Sequence, residues 1–230
     1  LLPLFAAVLS TSIIALIGFF DDINVRTKRV AIGSGAIDYK IGLKQWQKPL
    51  LTLLAAIPLM AVNSGVSDVV LPILGTINFG LFYPLLLVPI AVVCVSNATN
   101  MLAGMNGLEA GMMAVASAGL TGYLLIHGEV AGAVISAIGC ASLLAFLFYN
   151  WSPARMFPGD SLTYFSGAMF VSAVIIGNAE RFGILIFTPW IIEAVLKLRG
   201  WFKVRSYGDL QKGGWIKAPY PKVYSLTHLA

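Results

Sequence analysis

The chain has 230 residues, 58% apolar and only 11% charged, with a net charge of +5 and a mean hydropathy of +0.86. A soluble domain carries about 25% charged residues, so this composition excludes a water-covered globule, and no coiled-coil, collagen or solenoid period is present. The two cysteines, Cys94 and Cys140, lie in apolar runs with no second Cys or His at ligand spacing, and read as small buried hydrophobes.

A spanning helix needs about 20 mainly apolar residues. In chain order the candidates are residues 1–20, 49–66, 81–95, 108–127, 130–149, 161–178 and 182–198. The first is not a signal peptide, because it lacks a basic start and a small-residue cleavage site and runs into Asp21-Asp22. It opens mid-run without Met, so the chain is expected to be a fragment of a longer protein, incomplete at both ends. Residues 26–44, with Gly33, Ser34, Gly35 and Gly42, read as a mobile or hairpin-like loop. Residues 69–79 read as a short outer β-hairpin or re-entrant corner. The tail from 199 to 230 is basic and aromatic and suits a membrane-surface segment or lid. If Asp21 faces the cytoplasm, every Lys and Arg except Arg181 falls on that side, as the positive-inside rule requires. The expectation is one all-α domain over 1–230: a polytopic transmembrane helical bundle of about seven spans, with a short outer β-hairpin and cytoplasmic loops carrying the active site. The basic charge then reads as membrane orientation and phosphate attraction, not nucleic-acid binding.

One polar stretch interrupts this pattern: Asn97-Ala98-Thr99-Asn100-Met101-Leu102-Ala103-Gly104-Met105-Asn106-Gly107-Leu108-Glu109-Ala110-Gly111. Asn97 and Asn100 share a helix face at a spacing of three. Gly104 and Gly107 suit unusual backbone conformations, and Asn106 with Glu109 resembles a variant capping box opening the next helix. In this topology Asp21-Asp22, Lys48, the Asn97–Gly111 corner and Phe157-Pro158-Gly159-Asp160-Ser161 converge at one membrane face. Charges there are costly and usually functional. Each has a plainer reading too. Asp160 suits a helix N-cap, Lys48 a snorkelling flank, Phe157 core packing, and Glu193 an i,i+4 partner for Lys197. Asp21-Asp22 fits the plain reading worst, since two carboxylates at a helix C-terminus oppose its dipole. Oxygen ligands suit Mg²⁺ bridging phosphates, while a lysine and exposed amides suit phosphate oxygens. The residues themselves therefore point to a membrane-embedded handler of a phosphorylated ligand with a divalent cation. A transporter of phosphorylated substrates and an inactive structural remnant remain the alternatives.

Three stretches carry a resemblance to a known family: Gly18-Phe19-Phe20-Asp21-Asp22, the Asn97–Gly111 corner, and Tyr149-Asn150-Trp151 through Phe157-Pro158-Gly159-Asp160. They resemble the polyprenyl-phosphate N-acetylhexosamine-1-phosphate transferases, and the Asn-Gly-Leu-Glu-Ala-Gly ending resembles the branch that uses UDP-N-acetylglucosamine and dolichyl phosphate. The order of the spans over nearly the whole chain is similar as well, and the length of the 26–44 loop resembles archaeal members. The resemblance implies transfer of N-acetylglucosamine 1-phosphate from the UDP-sugar to a polyprenyl phosphate with release of UMP, the first step of lipid-linked glycan assembly. Another UDP-N-acetylhexosamine is the alternative donor. It implies Mg²⁺, or Mn²⁺, held by Asn100 and Asp160, and catalysis by Asp21, Asp22 and Lys48. It implies a substrate site of Asn97, Gly104, Asn106, Glu109 and Phe157, with Arg199 and Arg205 as candidates in place of the family's Arg/His loop. The implied partners are the UDP-sugar, the lipid phosphate and the bilayer, with a homodimer left open. The implied location is the cell membrane, or the endoplasmic reticulum membrane in a eukaryote.

Overall fold

The computed structural model describes residues 1–24, 26–32, 35–71, 75–202, 204, 206, 208–210, 216–217 and 220–229, of which 26–32, 35–41, 70–71, 209–210 and 216 are described by their backbone alone. Helix α1 (Leu2–Ile23) leads into an antiparallel hairpin, β1 (Arg26–Ile32) and β2 (Gly35–Ile41), with Arg26 opposite Ile41 and Ile32 opposite Gly35. Next come α2 (Gln47–Thr52), a 3₁₀ turn (Leu53–Ala56) and α3 (Ile57–Ala61). A second hairpin pairs β3 (Asp68–Leu71) with β4 (Gly75–Asn78). A π turn (Tyr83–Leu87) opens α4 (Val88–Met101), followed by α5 (Leu108–Ile126), α6 (Val130–Asn150) and α7 (Gly159–Ile176). The chain then continues through α8 (Glu180–Ile186), α9 (Thr188–Arg199), a minimal ladder of β5 (Asp209–Leu210) with β6 (Ile216–Lys217), and a 3₁₀ turn (Leu226–His228).

Among the described residues, five stretches are long and apolar enough to cross a membrane: Leu2–Ile23, Tyr83–Met101, Leu108–Ile126, Val130–Asn150 and Gly159–Ile176. The two other expected spans are shorter and broken. The 49–66 segment yields helix only over Gln47–Ala61, and its 3₁₀ stretch precedes Pro58, which has no N–H to continue the α ladder. The 182–198 segment breaks at Phe187, where Pro189 starts α9 afresh. Both expected hairpins are present.

Helix α7 organises the bundle. From Thr163 to Ile176 every residue except Phe165 is buried. A helix buried on all sides needs small or apolar residues on all sides, and Ser166, Gly167, Ala168, Ser172 and Ala173 supply the small ones. α7 divides the core. One cluster packs Met113, Leu120, Leu143, Phe170 and Trp190 together, and the other packs Ile14, Leu59, Val92, Tyr164 and Ile175. α1 comes closest at Gly18, where a Cβ would stand 2.6 Å from the Asp160 carbonyl oxygen. Small residues that let helix backbones approach are the usual packing device in membranes. Here the approach brings the end of α1, with its two aspartates, against the start of α7.

Candidate active site

Asp21 and Asp22 are neighbours in sequence but face different partners, because successive helical residues point about 100° apart. Asp21 is 2% exposed. Its Oδ1 accepts the Leu43 amide at 2.6 Å, and its Oδ2 lies 2.7 Å from Lys48 Nζ. Asp22 reaches across to α7. Its Oδ1 accepts the Asp160 amide at 2.8 Å, and its Oδ2 accepts the Ser161 amide at 3.0 Å and the Ser161 hydroxyl at 2.5 Å. The carboxylate that opposes the dipole of α1 thus sits at the positive end of α7, where it is stabilised. Gly159, at φ +60, leaves room for it, since a Cβ there would stand 2.6 Å from Asp22 Oδ2.

This arrangement corrects the capping reading of Asp160. No side chain of α7's own N-cap bonds the helix, and the cap comes from Asp22. The Asp160 carboxylate instead meets Lys48 Nζ at 2.6 Å, so one ammonium bridges Asp21 and Asp160. Lys48 is therefore an ion-pair partner within this cluster rather than a snorkelling flank. Burial alone lowers the basicity of its ammonium, but the Tyr164 hydroxyl and hydrogen bonds to the Asp160 and Asp21 carboxylates more than compensate, and it is held cationic; the Tyr164 ring centroid lies 6.0 Å from Nζ.

Beside this cluster opens a cleft of about 500 Å³, lined among others by Lys48, Asn97, Asn100, Tyr164, Lys197 and Phe202. Asn97 and Asn100 share a face of α4, as their spacing predicts. Asn97 Nδ2 is anchored to Thr52 Oγ1 at 3.0 Å and to the Val93 carbonyl at 2.8 Å, and Asn100 Oδ1 accepts Thr163 Oγ1 at 3.2 Å. The cleft shares Pro49, Asn97, Met101 and Phe202 with a second cavity of about 720 Å³. That second cavity is an apolar groove along α4, α7, α8 and α9, walled by residues such as Ala91, Val95, Val174, Ile184 and Val195.

The glycine corner follows in sequence on Asn100 and Met101, which line the cleft. Gly104 and Gly107 take φ of +118 and +80, a region that favours glycine. The capping box takes a different form from the expected one. Gly107, not Asn106, is the N-cap, and Glu109 Oε1 reaches back to accept the Gly104 amide at 3.0 Å. Asn106 and Phe157 are exposed, Phe157 at 76%, which removes the core-packing reading of that ring. Arg199 is exposed at the end of α9 and does not line the cleft; Arg205 lies outside the described residues. Glu193 is fully buried and pairs with Lys197 at 3.7 Å, the expected i,i+4 contact.

Sequence reasoning assigned no role to Asn150. Its side chain, 1% exposed, accepts the Gly107 amide at 3.0 Å through Oδ1 and donates to the Met156 carbonyl at 2.8 Å through Nδ2. It ties the glycine corner to the loop that carries Phe157 and Asp160. An amide closing an otherwise apolar run, as in Tyr149-Asn150-Trp151, was the available signal.

The donor chemistry fits a hard divalent cation. Asp160 offers a carboxylate already facing a cation, and Asn100 an amide oxygen linked to α7 through Thr163, whose hydroxyl also donates to the Asp160 carbonyl at 3.2 Å. Among the described residues no three or more His, Cys, Asp or Glu side chains form a metal cage.

Residues 4–178 match the model of glycosyl transferase family 4. A protein of Saccharolobus solfataricus, provisionally named UDP-N-acetylglucosamine–dolichyl-phosphate N-acetylglucosaminephosphotransferase, is 36% identical over 97% of this chain and 65% of its own length. The enzyme of that name from Dictyostelium discoideum is 29% identical over 82% of this chain and 50% of its own. A phospho-N-acetylmuramoyl-pentapeptide-transferase of Acaryochloris marina is 31% identical over 95% of this chain and 54% of its own. The chain thus spans about half to two thirds of the length of these relatives.

Proposed function

The chain belongs to glycosyl transferase family 4, and we propose that it forms the membrane core of an enzyme that transfers N-acetylglucosamine 1-phosphate from UDP-N-acetylglucosamine to a polyprenyl phosphate of the dolichyl type. The observation that carries this reading is a pair of adjoining cavities of opposite character. A polar cleft bearing Lys48, Asn97 and Asn100 shares Pro49, Asn97, Met101 and Phe202 with an apolar groove walled by four helices. A substrate with an anionic head and a long hydrocarbon tail fits both halves at once. A transporter keeps its charges near the bilayer midplane on broken helices, whereas Asp21, Asp22, Lys48 and Asp160 gather at helix ends on one face. We assign that face to the cytoplasm, on the distribution of Lys and Arg.

In the proposed reaction an oxygen of the lipid phosphate attacks the β-phosphorus of the sugar nucleotide. The bond from that phosphorus to the bridging oxygen of UMP breaks, UMP leaves with the electron pair, and a polyprenyl diphosphate sugar remains. Phosphoryl transfer of this kind is mainly positioning and charge neutralisation. The lipid phosphate is largely ionised at neutral pH, with a second pKa near ~6, so it needs orientation more than deprotonation. Lys48 holds phosphate oxygens and is itself held by Asp21 and Asp160. Asp22 acts through α7, fixing the backbone that carries Asp160. Asn106, Glu109 and Phe157 form the nucleotide side, with Phe157 free to stack on a base. Asp160 and Asn100 would hold a divalent cation, which would supply charge neutralisation on the diphosphate.

The test is release of UMP from UDP-N-acetylglucosamine by the detergent-solubilised protein, with and without polyprenyl phosphate. Release that depends on the lipid phosphate is expected; lipid-independent or absent release refutes the reading. The Acaryochloris relative supports a second donor reading, another UDP-N-acetylhexosamine, so the assay runs with several UDP-sugars and the one with the highest kcat/KM decides.

A further inference from the structure

Helix α9 presents two surfaces to the space just described. Ala194, Val195 and Leu198 wall the apolar groove, while Lys197 turns into the polar cleft. Lys197 therefore lines the cleft from the helix that forms the groove's own wall, next in sequence to the groove residue Leu198. It is 7% exposed, an unusual position for a lysine, and its surroundings hold it in place. Its ammonium hydrogen-bonds the Ser206 hydroxyl and lies 3.7 Å from Glu193 Oε1.

Glu193 is held in turn. Its Oε1 accepts the Ser225 hydroxyl at 2.7 Å and its Oε2 accepts the Leu226 amide at 2.7 Å. The Thr227 hydroxyl donates to the Ser206 carbonyl. The turn at Leu226–His228 is thereby fastened to α9 on one side and to Ser206 on the other, so the partners of Lys197 are fixed from two directions. A mobile lysine that merely flanks a membrane would not need this support.

We propose that Lys197 is the residue that recognises the phosphate of the lipid acceptor, with Glu193 as its positioning residue. The inference rests on the transferase reading and deepens it. Lys48, clasped by Asp21 and Asp160, serves the sugar-nucleotide diphosphate, while Lys197, on the helix that walls the groove, meets the head of the chain that fills that groove. Two cations lining one cleft then divide donor from acceptor. An ammonium group discriminates a phosphate monoester from the alcohol of the same chain, because only the phosphate forms a charge-assisted hydrogen bond.

The experiment measures equilibrium binding of polyprenyl phosphate and of the polyprenol of equal length to the detergent-solubilised protein, with UDP-N-acetylglucosamine binding measured alongside. Wild type should prefer the phosphate. Lys197→Met should lose about tenfold or more of that preference, the weight of roughly one hydrogen bond to a charged group, while polyprenol and UDP-N-acetylglucosamine bind as before. Lys197→Arg, which keeps the charge, should restore part of the preference. If the methionine variant fails to fold, Lys197→Gln keeps a donor for Ser206 and should give the same loss. A full phosphate preference in the folded neutral variant overturns the role of Lys197, as does an equal loss of donor affinity. No phosphate preference in wild type overturns the transferase reading itself, a distinguishable result.

Discussion

Replacing Asp22 by Ala removes the partner of two backbone amides and one hydroxyl at the start of α7. Loss of an N-cap costs about 0.5–2 kcal/mol, and a hydrogen bond to a charged group about 1.5–3 kcal/mol. The three bonds share one carboxylate, so their losses do not add, and a net cost of about 2–3 kcal/mol is expected. For a protein of this size each kcal/mol moves the melting temperature by about 2–4 °C, which gives a fall of about 4–12 °C. Asp160→Asn is the control at the same helix end. Asp160 provides no cap, and what it loses is an ion pair whose side chains are 23% and 22% exposed. Lys48 keeps Asp21 as its partner and asparagine keeps the side chain's shape, so the cost is smaller, about 1 kcal/mol, a fall of about 2–4 °C. Turnover should separate the variants the other way: Asp160→Asn should abolish divalent-cation-dependent UMP release despite its stability. The assay is thermal unfolding in detergent, read beside UMP release across a Mg²⁺ series. An Asp22→Ala variant as stable as wild type would refute the capping geometry. Near-normal turnover by Asp160→Asn would remove it from the metal site.

Lys48→Ala should lower both turnover and melting temperature, because it removes the cation that bridges the buried Asp21 carboxylate to that of Asp160; adding Asp21→Asn should recover stability but not turnover, and a double variant no more stable than the single one contradicts this. Gly18→Ala should cost about 1–3 kcal/mol by overpacking the α1–α7 contact and should reduce turnover with it, measured by unfolding and UMP release; a silent substitution means the helices are not in close contact. A cysteine introduced at position 212, in a Cys94→Ser/Cys140→Ser background, should resist membrane-impermeant thiol reagents applied to intact cells and react after permeabilisation; efficient labelling from outside inverts the assigned orientation.

The fold was legible where its cause is local. Long apolar runs give α1, α5 and α6 with ends within a few residues of those expected, and the glycine-bearing stretches at 26–44 and 69–79 form their hairpins. It was less legible where a proline divides an apolar run. Hydropathy treats 49–66 and 182–198 as continuous, but the ladders break before Pro58 and Pro189. Hydropathy sums side chains, and it is the missing backbone N–H that ends a helix. Composition likewise says that α7 is apolar without saying that it is central. Its centrality comes from small residues on every face, which matter only once neighbours exist to approach them.

The site was legible as a set of residues but not as a division of labour. Sequence reading treats Asp21-Asp22 as one anomaly, a doubled acid at the wrong end of a dipole. In space the anomaly separates into two ordinary solutions. Asp22 lies at the right end of another helix, so the dipole that penalises it in α1 favours it at α7. Asp21, turned about 100° away, is buried against an ammonium that also reaches Asp160. The capping role suggested for Asp160 therefore belongs to its partner, and that transfer frees the Asp160 carboxylate to face a cation. A carboxylate occupied in capping its own helix has its lone pairs turned to amides and offers little to a metal. One supplied with a cap by a neighbour keeps the favourable field of the helix start while its oxygens face Lys48 rather than its own amides. The doubled acid of α1 is in this sense what makes the single acid of α7 available, and Gly18 and Gly159 are the residues that let the two helices come near enough for the exchange.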